Sequence, residues 1–97
     1  IKRLIINNED ELVSGSEDGT IRIWNMRSGE CLRILKGHID QVLTLIINNK
    51  NELISGSKDS TIRIWNMETG ECLRTLKGPS GSVNILIINN ENEFHNI

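Results

Sequence analysis

Long apolar runs are missing from this sequence. Wholly apolar stretches such as Leu45-Ile46-Ile47 end within a few residues, far short of the roughly 20 that a membrane-spanning helix needs. A charge of one sign is missing as well: 11 Lys and Arg stand against 13 Asp and Glu, for a net charge of −2. Both signs are interleaved through every segment, which excludes an acidic or basic tail and leaves no clustered basic face of the kind nucleic acid requires. Neither a membrane nor a nucleic acid is therefore an expected partner. Cysteine is scarce too, and Cys31 and Cys72 cannot build the dense disulfide framework of a small secreted domain. Together with His38 and His95 they make four conceivable zinc ligands, yet no Cys-x-x-Cys or His-x-x-x-His pair supplies the spacing of a metal site. The expectation is no metal and no cofactor, with the cysteines as small apolar strand residues and His95 as an exposed terminal residue. The chain opens on Ile1 rather than Met, so a stretch carrying the true N-terminus is expected to precede it.

What is present is an internal repeat, and it organises the whole chain. The segment Leu12-Val13-Ser14-Gly15-Ser16-Glu17-Asp18-Gly19-Thr20-Ile21-Arg22-Ile23-Trp24-Asn25-Met26 returns 41 residues later as Leu53-Ile54-Ser55-Gly56-Ser57-Lys58-Asp59-Ser60-Thr61-Ile62-Arg63-Ile64-Trp65-Asn66-Met67. The same offset relates Gly29-Glu30-Cys31-Leu32-Arg33 to Gly70-Glu71-Cys72-Leu73-Arg74. It also relates three copies of one short segment, Leu4-Ile5-Ile6-Asn7-Asn8, Leu45-Ile46-Ile47-Asn48-Asn49 and Leu86-Ile87-Ile88-Asn89-Asn90.

Each unit reads as four strands. Val42 to Ile47 is β-branched and apolar, and Asn48 to Asn51 supplies turn residues that tolerate left-handed dihedrals. Leu53 to Ser57 is a second strand, closed by a turn at Lys58-Asp59-Ser60. From Thr61 to Trp65 the residues alternate, placing Thr61, Arg63 and Trp65 on one face and Ile62 and Ile64 on the other. Asn66 to Gly70 forms a hairpin in which Gly70 can take a positive φ, and a fourth strand follows. The predicted strands run about 1–6, 12–16, 20–25 and 31–35, then 42–47, 53–57, 61–66 and 71–76. No helical period competes, so the fold class is all-β. The units are 1–41, 42–82, and 83–97 as the degenerate start of a third, where only the first strand, Val83 to Ile88, is expected. Beyond Phe94 the pattern decays, since His95-Asn96-Ile97 no longer matches Ile54-Ser55-Gly56.

Gly37-His38, then Val42, Ser55-Gly56-Ser57-x-Asp59, Ile64-Trp65-Asn66 and Gly70 resemble, in order and spacing, the blade pattern of the WD-repeat β-propeller family. The likeness covers nearly the whole chain and departs at the name-giving dipeptide, which is Trp-Asn rather than Trp-Asp in both copies. Asn can still make the side-chain-to-backbone bond that this turn needs. The resemblance implies a partial WD-repeat propeller: two four-stranded antiparallel blades plus the first strand of a third.

It also implies a polar network that stitches each blade together. In the second blade the network falls on His38, Ser55, Asp59 and Trp65; in the first, on Ser14, Asp18 and Trp24, with the matching His falling before Ile1. The logic is mutual satisfaction, because imidazole, hydroxyl, carboxylate and indole N–H each supply what another lacks. Ser, His and Asp could also be a hydrolytic triad. However, no nucleophile elbow or oxyanion motif accompanies them, and the set repeats with the blade as structural parts do. The chain is expected not to be an enzyme.

Partner-binding residues are expected on the propeller rim, where loops between strands collect. By the resemblance these are Lys2, Glu17, Gln41, Leu43, Lys58, Ser82 and Asn84, which are also where the copies diverge. Arg22 and Arg63 are read as framework residues beside the Trp face rather than as a phosphate-reading cluster. The expected function is an intracellular, cytoplasmic or nuclear scaffold that holds proteins or peptides. The alternatives are a repeat fragment without independent function, a subunit that assembles with other copies into a ring, and, more distantly, a substrate receptor of a ubiquitin ligase. Propellers close with four to eight blades, so two blades should leave two apolar faces needing further blades from the same chain or from other copies.

Overall fold

The computed structural model describes residues 3–6, 10–48, 50–77, 86–88 and 94–96. They form ten strands: β1 (Arg3–Ile6), β2 (Glu11–Gly15), β3 (Ile21–Asn25), β4 (Cys31–Leu35), β5 (Val42–Ile47), β6 (Glu52–Ser57), β7 (Thr61–Asn66), β8 (Cys72–Lys77), β9 (Leu86–Ile88) and β10 (Phe94–Asn96). They assemble as two four-stranded meanders, β1-β2-β3-β4 and β5-β6-β7-β8, and one hairpin, β10-β9. All pairs are antiparallel. For β2 to β8 the predicted bounds lie within one residue of the observed ones.

The third unit differs from the expectation of a single strand, because β9 is paired by β10. The register explains why: Phe94 faces Ile88 as Leu53 faces Ile47 and Leu12 faces Ile6. The side-chain pattern has decayed there, but ladder bonds join backbone groups, which still need partners.

The turns repeat as faithfully as the strands. Asp10 and Asn51 hold the same left-handed conformation, with φ of 61° and 59°, as short polar side chains allow. After β3 and β7, Asn25 and Asn66 each fold their side chain onto the following turn: Asn25 Oδ1 accepts from the N–H of Arg27 at 2.8 Å, and Asn66 Oδ1 from that of Glu68 at 2.8 Å. Asn thus makes the turn bond expected of it. Gly70 takes φ of 79°, and a Cβ there would lie 2.9 Å from Leu35 Cδ2 of the first blade. Its tight turn and its close approach to the neighbouring blade both call for glycine.

Alternation sorts each blade into two faces, and the main core lies where the blades meet. Val13, Ile21, Ile23 and Leu35 of the first blade pack with Val42, Leu45, Leu53, Trp65 and Met67 around the second. Each fully buried aliphatic contributes about 1.5–3 kcal/mol of hydrophobic stabilisation. The opposite face of the second blade carries a smaller cluster, Ile54 and Ile64 with Ile46 and Ile62. One consequence of repetition is an asymmetry between equivalent residues: Met67 is 1% exposed and Met26 48%, while Trp65 is buried and Trp24 half-buried. Among the described residues, the Trp24 side of the first blade lacks the cover that the second blade's Trp65 side receives.

Candidate functional site

Strand β6 places Ser55 inward, β7 places Trp65 beside it, and the loop after β4 folds His38 over both. Trp65 Nε1–H donates to Ser55 Oγ at 2.8 Å. Ser55 Oγ lies 2.6 Å from His38 Nε2, and His38 Nδ1 lies 3.0 Å from Asp59 Oδ2. A carboxylate only accepts, so Nδ1 carries the imidazole proton and Nε2 accepts the Ser55 hydroxyl. The bonds therefore run in one direction, from indole to hydroxyl to imidazole to carboxylate. Asp59 also accepts the N–H groups of Ile39 at 3.0 Å and Thr61 at 2.9 Å, together with the Thr61 hydroxyl.

This environment sets the charges. Burial lowers the His38 pKa below 6.5, against the pull of Asp59 and with help from Arg63, so the ring is neutral at pH 7. For Asp59 burial acts the other way, but the bonds from Thr61, Ile39 and His38 outweigh it and hold the carboxyl at about 2. The side chains of His38 and Asp59 are only 0% and 4% exposed, and Ser55 is fully buried.

Four of the network residues, His38, Ser55, Asp59 and Trp65, are thus brought together. In the first blade only part of the arrangement exists. Trp24 Nε1–H donates to Ser14 Oγ at 2.9 Å, but Asp18 is exposed and bonds instead to Thr20 and Ser16. The Thr20 hydroxyl and N–H hold the Asp18 carboxyl at about 2. The linking group in the second blade is the imidazole, and no described residue of the first blade supplies one. The expectation that Asp18 joins Ser14 and Trp24 is corrected accordingly.

Sequence reasoning missed Thr61 and Ser57. Thr61 Oγ1 lies 3.1 Å from His38 Nδ1, and Ser57 Oγ donates to the Gln41 carbonyl at 2.8 Å while accepting from Asp59 N–H at 3.0 Å. The available signal was the Asp-x-Thr spacing, present as Asp18-Gly19-Thr20 and Asp59-Ser60-Thr61.

The Ser55–His38–Asp59 order and distances do match those of a hydrolytic triad. Access decides against that chemistry, because the hydroxyl is sealed in the interior and its oxygen is already taken by the Trp65 indole. Arg63 lies along the same wall: a Cβ on Gly37 would sit 2.8 Å from its Nη1 and 3.0 Å from the Trp65 ring. Glycine at 37 is what lets the backbone approach this pair.

Of the rim residues, Glu17 and Lys58 are exposed in the turns after β2 and β6, and Gln41 and Leu43 are half-buried at the start of β5. Backbone bonds gather them: Val42 N–H donates to Ser16 carbonyl at 3.0 Å, and Lys58 N–H to the Gln41 carbonyl at 3.0 Å. The register of β5 on β6 shifts between Val42 and Thr44, and such a bulge bends the strand where Leu43 stands. Lys2, Ser82 and Asn84 lie outside the described residues.

Repeated four-stranded meanders, with β1 packed beside β5 and β5 beside β9, are blades of a β-propeller. The family model "WD domain, G-beta repeat" matches residues 4–25 and 29–66, more than half of the chain, and the chain belongs to the WD40 repeat family. A solved structure, the WD40 β-propeller domain of Doa1, superposes with a TM-score of 0.89 over 95% of this chain and 31% of that one, at 25% identity. Similar curated proteins include a CCR4-associated factor 4 homolog of Vanderwaltozyma polyspora, 51% identical over 38% of this chain and 6% of its own length. Mitochondrial division protein 1 of Candida glabrata is 50% identical over 35% of this chain and 5% of its length. The nuclear distribution protein nudF of Emericella nidulans is 41% identical over 35% and 8%. The chain spans no more than 8% of the length of these three relatives.

Proposed function

We propose that this chain is a non-catalytic scaffold that holds protein or peptide partners on the rim formed by Glu17, Gln41, Leu43 and Lys58, joined by Lys2, Ser82 and Asn84. The observation that carries this reading is the sealing of Ser55, His38 and Asp59. Its acid, base and nucleophile are spent on holding the blade together, while Glu17 and Lys58, which differ between the copies, stand exposed on equivalent turns. Ser14 and Trp24 belong to the framework in the same way. Among the described residues no helix is long and apolar enough to cross a membrane; the site of action in this reading is the cytoplasm or nucleus. The test is proximity labelling in cells, comparing the wild type with a Glu17→Lys, Lys58→Glu variant. A defined set of neighbours should disappear while thermal unfolding is unchanged. An identical set of neighbours from both proteins would reject the rim.

A second reading concerns the contrast between Met26 and Met67. The Trp24 face has the same residues that bury the Val13–Ile21–Ile23 face inside the chain, so a further blade would cover it, from the same polypeptide or another copy. Light scattering on the purified protein distinguishes the two: a discrete multiple of the chain mass indicates copies. A folded monomer with Met26 still exposed would reject both.

A further inference from the structure

Ile39 is 89% exposed, far more than any other large hydrophobic residue among those described. Single exposed aliphatics are ordinary on a protein surface, so exposure alone assigns nothing. What sets Ile39 apart is how firmly its backbone is held. Its own N–H donates to Asp59 Oδ2 at 3.0 Å. The residue before it, His38, is locked into the buried network, and the side chain of the residue after it, Asp40, accepts from Gln41 N–H at 2.7 Å. On the other side the loop rests against the turn of the first blade: a Cβ on Gly19 would stand 2.4 Å from the His38 carbonyl oxygen and 2.9 Å from that of Asp40. Ile39 thus projects from a backbone clamped between two blades.

Its neighbours follow from the same bonds. The turn that packs against the loop carries exposed Glu17, and the turn that supplies Asp59 carries exposed Lys58. An apolar side chain therefore projects between an acidic turn, which carries exposed Glu17 and Asp18, and a turn that carries basic Lys58. The repeat does not require Ile39, because the position 41 residues later is Ser80.

We infer that Ile39 is the apolar anchor of the rim. It would insert against an apolar side chain of an extended peptide segment that carries a basic residue on the Glu17 side and an acidic residue on the Lys58 side. Anchors of this kind dominate interface energetics when they are desolvated at the centre of a contact and ringed by polar groups. A backbone already fixed loses little further freedom on binding, which is the general benefit of preorganisation. The inference rests on the proposed rim function and names its central residue.

The experiment is selection of a random peptide display library on the full chain, followed by titration of the selected peptides against variants. The expected peptides carry an aliphatic or aromatic residue between opposite charges. They should lose at least tenfold in affinity for Ile39→Ser, with thermal unfolding unchanged, and bind Glu68→Ala, at the opposite end of the second blade, as they bind the wild type. Peptides that bind Ile39→Ser normally but lose affinity for Lys58→Glu would overturn the anchor and leave the rim standing. Failure to select any peptide, or binding indifferent to every rim substitution, would overturn both.

Discussion

Ser55→Ala tests the network most directly, because the first blade offers an internal control in Ser14→Ala. Ser55 is fully buried and serves two buried groups at once, the Trp65 indole at 2.8 Å and the His38 ring at 2.6 Å. Removing the hydroxyl strands both, and each stranded buried group costs about 1–3 kcal/mol. The expected loss is about 2–6 kcal/mol. Ser14 serves the half-buried Trp24 indole, which water can reach, so Ser14→Ala should cost about 1 kcal/mol. For a domain of this size, each kcal/mol moves the midpoint by about 4–8 °C. The assay is denaturant and thermal unfolding of both variants, with the two indole N–H resonances followed by NMR. The Trp65 resonance should move in Ser55→Ala and stay in Ser14→Ala. Equal stability losses for the two variants would refute the reasoning, since they would mean that the imidazole link adds nothing.

Gly19→Ala should cost about 2–4 kcal/mol in urea unfolding, from a left-handed φ of 88° and a Cβ only 2.4 Å from the His38 carbonyl oxygen. Gly29→Ala, at φ of 77° but facing open space, should cost only about 1 kcal/mol. Ser60 occupies the position equivalent to Gly19 with φ of 73°; relief of about 1–2 kcal/mol of strain against the entropy of glycine should make Ser60→Gly neutral or stabilising by about 0.5 kcal/mol in the same assay. Stability should also fall in two acid steps, read as urea midpoints across pH. Because folding lowers the His38 pKa, the unfolded chain binds the extra proton first, so stability is full above pH 6.5 and declines below it. The Asp59 contribution persists down to about pH 3.8 and is lost toward about 2. His38→Asn should abolish the first step and leave the second.

The sequence by itself determined the period of 41, the strands, the two-faced alternation and the turn chemistry. These are local properties: a two-residue period sorts faces, and Gly or Asn marks a left-handed turn wherever it stands. It also identified four of the residues that meet around His38, because the family pattern preserves their order although they lie up to 27 residues apart. Only the tertiary structure decided that Thr61 and Ser57 share that site: the Asp-x-Thr spacing repeats in both copies, but which loop folds against it depends on contacts from another part of the chain. The third unit's second strand was likewise invisible in its side chains, because backbone pairing does not depend on them. Equivalent residues met different fates for the same reason. Trp24 and Trp65, or Asp18 and Asp59, are nearly indistinguishable in sequence, but burial and bonding depend on what packs alongside, and the two blades have different neighbours.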